Sequence, residues 1–192
     1  MIEQIIQNFY GKVDSLFLFE KIYPLVEQKQ IEGRTVLGMY EYSGQFEHIT
    51  NLDNFNGVAY FRKYEDTSVG VSDIVLGACD NVLAITYPIR FVASIRRDQL
   101  PSDCAFSDDA LAYFIIQELS GNAAALKVAM KAAKVVVSPT KISTDRKQIL
   151  SNELPGNELN DINYEFTLIS IDFNVVIDIR QSCIITSCET YG

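Results

Sequence analysis

The sequence predicts an α+β fold, a twisted, mostly antiparallel sheet of long strands with helices packed on one face. Two segments carry that prediction. From Leu83 to Ile95 the odd positions (Leu83, Ile85, Tyr87, Ile89, Phe91, Ala93, Ile95) are apolar, while Thr86, Arg90, Ser94 and then Arg96 fill even ones. From Asn163 to Arg180, Thr167, Ile169, Ile171, Phe173, Val175, Ile177 and Ile179 alternate with Ser170, Asp172, Asn174 and Asp178. A period of two belongs to a strand with one wetter face. Carried to Arg97 at about 3.3 Å per residue, the first segment reaches about 50 Å; the usual strand has about 5–6 residues. A third observation bounds the unit: 192 residues bury roughly 70% of their unfolded surface, enough for one core without staples, so one domain spanning 1–192 is expected. So long a sheet would extend beyond a globule of this size, and something else is expected to cover it.

The remaining elements follow in order. Ile2, Ile5, Ile6, Phe9, Val13, Leu16 and Phe17 recur at helical spacing and predict an amphipathic helix running towards Tyr23, with Gly11 as a point where it can break. Pro24 weakens its continuation. After the polar stretch Glu27 to Gly33, Arg34 to Tyr42 and Gln45 to Thr50 read as strands joined at Ser43-Gly44, and Val58 to Tyr64 follows the Asn56-Gly57 turn. Glu65 to Asp80, rich in Asp, Ser, Gly and Thr, reads as a protruding loop. Pro88 lacks an N–H for the ladder, so a bulge or an edge is expected there. Ser107 is a good N-cap, with Asp108 and Asp109 in the first turn of a helix that Gly121 ends or kinks. Asn122 can cap a second segment reaching Ala133, Lys134 to Ser143 reads as a strand, and Asp145 to Pro155 as polar connection.

Composition narrows the function classes. A hydrophobic content of 48%, with mean hydropathy of +0.08, argues against disorder, because a disordered chain lacks the apolar area to offset ordering entropy. Charges interrupt the apolar stretches well short of the roughly 20 residues that cross a bilayer, and Glu3 stands where an export signal is basic, so neither export nor membrane insertion is expected. The four cysteines, Cys79, Cys104, Cys183 and Cys188, are expected as thiols in a reducing cytoplasm. A net charge of −9 argues against wrapping nucleic acid, whose affinity comes from clustered Lys and Arg. It is compatible with an acidic lumen through which DNA slides without sticking.

Candidate chemistry is sparse. His48, the one histidine, lies in an expected strand; a Ser-His or Cys-His pair would have to be assembled by the fold. Cys183 and Cys188 are spaced more widely than the usual zinc-binding pairs. Asp108-Asp109 read as helix N-terminal charge, and Asp172 and Asp178 lie on a strand's wet face, where a glycosidase would need a cleft between two such acids. Neither a Gly-x-x-x-x-Gly-Lys nor a Gly-x-Gly-x-x-Gly pattern occurs. Arg90, Arg96 and Arg97, with Lys134, Lys141, Arg146 and Lys147 further on, suit ion pairs within or between subunits better than a phosphate stripe. The apolar end of the chain, with Ile184, Ile185 and Tyr191, either completes the sheet or docks on a neighbour.

The N-terminal helix, TYPIRFVASIRR (Thr86 to Arg97), the helix before KVVVSPTKISTDRKQIL (Lys134 to Leu150), and YEFTLISIDFNVVI (Tyr164 to Ile177) together resemble the neck or tail-completion proteins of tailed bacteriophages of Bacteroidetes, crAss-like phages included. The resemblance covers roughly Leu83 to Ile179 as pattern and element order. It implies a tail-terminator or connector ring, assembled in the host cytoplasm into the virion, in which copies of the chain contact one another and adjacent portal, neck or tail proteins. DNA at most passes through, with no membrane and no cofactor involved, and the family has no catalytic residues to transfer. The residues expected at the subunit interface are Arg90, Arg96, Arg97, Ile184, Ile185 and Tyr191. The alternatives are a cytoplasmic enzyme whose site gathers dispersed acids and Arg residues, and a small adaptor module.

Overall fold

A computed structural model describes residues 1–40, 46–48, 55–72, 82–99, 107–153 and 165–180. Within them the chain forms α1 (Ile2–Asp14), β1 (Lys21–Tyr23), β2 (Glu27–Ile31), β3 (Arg34–Tyr40), β4 (Phe46–His48), β5 (Gly57–Lys63), β6 (Ser68–Val71) and β7 (Val82–Arg96). A short 3-10 turn (Arg97–Gln99), α2 (Asp108–Gly121), α3 (Ala123–Ala129), β8 (Lys134–Ser143), α4 (Arg146–Glu153) and β9 (Phe166–Arg180) follow. The fold is α+β. The two alternating segments become β7 and β9, 15 residues each, paired antiparallel over their whole length from Val82 opposite Arg180 to Arg96 opposite Phe166. They form the middle of a six-stranded sheet of order β1-β5-β7-β9-β8, with β6 beside β7; only β1 and β5 run parallel.

Because side chains alternate, this sheet has two different faces. On one, Ala59, Phe61, Ile89, Phe91, Ala93, Ile95, Ile169, Ile171, Phe173 and Val175 form the main core against α1, α2 and α3. Phe61 packs on Phe91 with ring centroids 5.1 Å apart, and Phe9 of α1 on Phe61 at 6.0 Å. The expected helices on one face are these three. The other face is covered as well: α4 and the small β2-β3-β4 sheet bring Ile149, Leu150 and Leu37 onto Val58, Tyr60, Val92 and Leu168. Eleven of the fifteen residues of β9 are buried. The chain itself thus covers strands that their length alone suggested a partner would cover.

Several elements differ from expectation. The first helix passes Gly11 without a break and stops at Asp14; Phe17, at φ 55°, turns the chain, and Lys21–Tyr23 is a strand parallel to β5 rather than more helix. The polar stretch before Arg34 is β2, joined to β3 by Glu32 and Gly33 at φ 50° and 78°, the positive pair that a two-residue mirror-image turn requires. Residues 145–155 are not mere connection, because Arg146–Glu153 is helix, with the Asp145 carboxylate accepting a bond from the Gln148 N–H at 3.1 Å. Part of the expected loop at 65–80 is β6, paired with β7; residues 73–81 lie outside the described residues. Pro88 sits in unbroken register opposite Asn174, without a bulge. Its carbonyl points to the side where β5 gives way to β6, between Ile89 and Thr86, so its missing N–H falls in a gap between two neighbours. Gly57 is required by close approach: a Cβ there would lie 2.3 Å from the Leu18 carbonyl oxygen.

Candidate functional site

The most concentrated chemistry lies on the second face of the sheet. Arg62 of β5 stands opposite Arg90 of β7, Arg90 opposite Asp172 of β9, and Asp172 opposite Lys141 of β8. Two arginines directly across from each other repel. Glu153, the last residue of α4, resolves this by placing its carboxylate between them. Its Oε1 accepts bonds from Arg62 Nη2 at 2.9 Å and Arg90 Nη1 at 3.0 Å, and its Oε2 accepts from the Tyr60 hydroxyl at 2.9 Å. Arg62 Nε approaches Oε2 to 2.8 Å without the alignment of a hydrogen bond. Arg90 also grips Asp172 with two parallel bonds, Nε to Oδ1 at 2.5 Å and Nη2 to Oδ2 at 2.9 Å, and its guanidinium lies 5.1 Å from the centre of the Tyr64 ring.

Two positive and two negative groups make the cluster neutral. The side chains of Arg62, Arg90, Glu153 and Asp172 are 12%, 13%, 2% and 7% exposed, so they are paired in a poorly solvated place. The bonds to Asp172 are the main reason that Arg90 holds its proton even more firmly than an ordinary arginine, against the opposing effect of burial. Burial, and then the Glu153 carboxylate, pushes the Tyr60 hydroxyl well above its usual range. Beside Arg90 and Asp172 the free space is about 10 Å³, bordered by Lys141, Ser143 and Asn152. That holds one water at most. The arrangement clamps α4 to the sheet.

The arginines expected at an interface are not brought together. Arg90 is engaged inside the chain. Arg96, six residues along the strand, pairs with Asp98 through Nη2 at 2.6 Å and Nε at 3.1 Å. Arg97 leaves the strand and bonds Asp108 at 3.0 Å and Thr167 at 3.1 Å, and Thr167 in turn donates to Asp108 at 2.9 Å, which ties the start of α2 to the start of β9. Ser107 caps α2 as expected, accepting from Ala110 N–H at 3.2 Å. Asn122 makes no cap for α3; its buried amide bonds Asn8 of α1. Ile184, Ile185, Tyr191 and all four cysteines lie outside the described residues, and His48 falls in β4.

No protein-family model matches this chain, and no curated protein matches it. Among the described residues no three His, Cys, Asp or Glu side chains are grouped to hold a metal ion, and no helix is long and apolar enough to cross a membrane. Tyr60, Arg62, Tyr64 and Glu153 were not among the expected site residues. Glu153 had a local signal, the Asp145-x-x-Gln148 start of a helix just ahead of it.

A second feature is open. Between α1 and the small sheet lies a cleft of about 370 Å³, with Ile6, Pro24, Leu25 and Met39 as its apolar walls and Glu3, Gln7 and Glu27 as its polar ones.

Proposed function

We propose that the protein is a structural subunit of a tailed phage, one copy in a homo-oligomeric ring of the portal, neck or tail region that braces or lines the DNA channel. The phage assignment rests on the resemblance of its sequence pattern. The observation that carries the ring is that, among the described residues, the main sheet ends in different strands on its two sides, β1 and β6 on one and β8 on the other. At about 4.8 Å per strand, β1 and β8 lie about 19 Å apart across the sheet. A ring larger than a dimer needs two non-identical patches facing away from each other, so that each copy offers one to the next. Both edges carry exposed apolar side chains, Val69 and Val71 on β6 and Ile142 on β8. Pro139 and Lys141 make β8 a poor strand to extend, which favours side-chain docking there over sheet continuation. The net charge of −9 suits a channel that does not bind the DNA it carries.

Native mass spectrometry and electron microscopy of the purified chain, alone and mixed with portal, neck and tail proteins, test this. Closed rings, alone or seated on a partner ring, are expected. A chain that stays monomeric with every partner overturns the reading.

A further inference from the structure

We infer that the cleft between α1 and the small sheet receives the tip of α3 from the next copy, a contact that rests on the ring reading above. Three observations converge. The first is charge: the cleft has an apolar floor with Glu3 and Glu27 at its rim, while the end of α3 presents Val128, 79% exposed, flanked by Lys127 and Lys131. Most charged side chains of the second sheet face are spent on partners within the chain, whereas among the described residues none of Glu3, Glu27, Lys127 and Lys131 makes an ion pair.

The second is placement. On α1, Asn8 and Lys12 face α3 and α2, bonding Asn122 and Glu118. At about 100° per residue, Glu3, Ile6 and Gln7 point to nearly the opposite side of the helix. Helix α3 packs against β8 and on the Asn8 side of α1, while the cleft opens on the other side of α1, so α1 stands between cleft and tip within one chain and they can meet between neighbours.

The third is backbone conformation. Lys131 closes α3 with φ 50°, its N–H bonding the Val128 carbonyl and the Ala132 N–H bonding that of Lys127. Glycine is the usual residue at this point of a helix end, and a side chain held there is strained. A lysine retained in that position puts an ammonium group at the tip, next to Val128.

Sedimentation velocity and native mass spectrometry on full-length variants test the contact. Val128→Glu, and the charge reversals E3K/E27K and K127E/K131E, should each weaken self-association about tenfold or more while leaving thermal unfolding of the monomer unchanged. Mixing the two reversal variants in equal amounts restores assembly, because each then offers a tip that fits the other's cleft. Lys131→Gly should raise the monomer's melting temperature and yet weaken assembly. If Val128→Glu and both reversals assemble like the parent chain, the contact is wrong while the ring survives. A parent chain that is monomeric alone also overturns the contact, and the ring reading then falls only if neck and tail partners fail to recruit it.

Discussion

The two faces of the main sheet are built from the same strands by alternate residues, and they are held to their coverings by opposite means. On the first face Phe61, Phe91 and Phe173 meet Phe9 and Ile5 of α1, and attraction there is non-directional and additive over area. On the second, a small apolar cluster around Tyr60, Val92 and Leu150 is bordered by four poorly solvated charges, with four contacts to Glu153 holding α4 and two more joining Arg90 to Asp172 of β9. The first face tolerates gradual change. The second is sensitive to single changes, since removing Glu153 leaves Arg62 without its carboxylate and opposite Arg90.

The largest expected effect tests the apolar side. Phe91→Ala, at a fully buried ring, should cost about 3–5 kcal/mol of stability in chemical denaturation. A loss near that of a surface substitution would remove the contrast between the faces.

Glu153→Ala should cost about 3 kcal/mol by the same measurement, because Arg62 loses its counter-charge and is left facing Arg90, which keeps only Asp172. Replacing all four charges together by Met and Leu should bring stability back to within about 1 kcal/mol of the parent chain, since the desolvation cost disappears with the pairing. A fourfold variant less stable than Glu153→Ala alone would show that the cluster contributes net stability.

Tyr60→Phe removes one bond to Glu153 and should cost about 1–2 kcal/mol at neutral pH. Its pH dependence has a definite sign. The folded hydroxyl titrates well above the unfolded value of about 10, so its contribution is fully present below about pH 10 and is lost as the pH rises from there through the folded value. The alkaline decline of the parent chain should therefore be steeper than that of the Phe variant; parallel curves would refute the assignment.

The smallest effect is at the exposed pair. Asp98→Asn, which breaks the contact to Arg96, should change stability by less than about 1 kcal/mol and vanish in high salt. A salt-insensitive loss would mean that the pair is less solvated than its exposure indicates.

Much of the fold was legible because period two is a local signal. The fifteen positions of β7 and of β9 announce themselves without reference to any partner, as does the stripe Ile5, Ile6, Phe9 and Val13 of α1. Helix α4 was not legible by periodicity, being polar apart from Ile149 and Leu150; its cap at Asp145 was the available sign. β2 was hidden for a similar reason, since a strand exposed along nearly its whole length has no alternation to read. The site was the least legible part: Arg90 finds its partners 63 and 82 residues away, and only a sheet that puts β7 beside β9 and a helix that ends at Glu153 can gather them.

The order of apolar and polar residues along the chain was therefore sufficient to determine two long strands and an amphipathic first helix, because each depends on neighbours within a few positions. Which charges are paired within the chain, and which make no ion pair among the described residues, was decided only by tertiary structure. Arg90, Arg96 and Arg97 each pair with a carboxylate of the chain, whereas Glu27 and Lys131, unremarkable in sequence, make no ion pair among the described residues. Pairing is a matter of distance in space, and for groups 60 or more residues apart that distance is set by strand order and register.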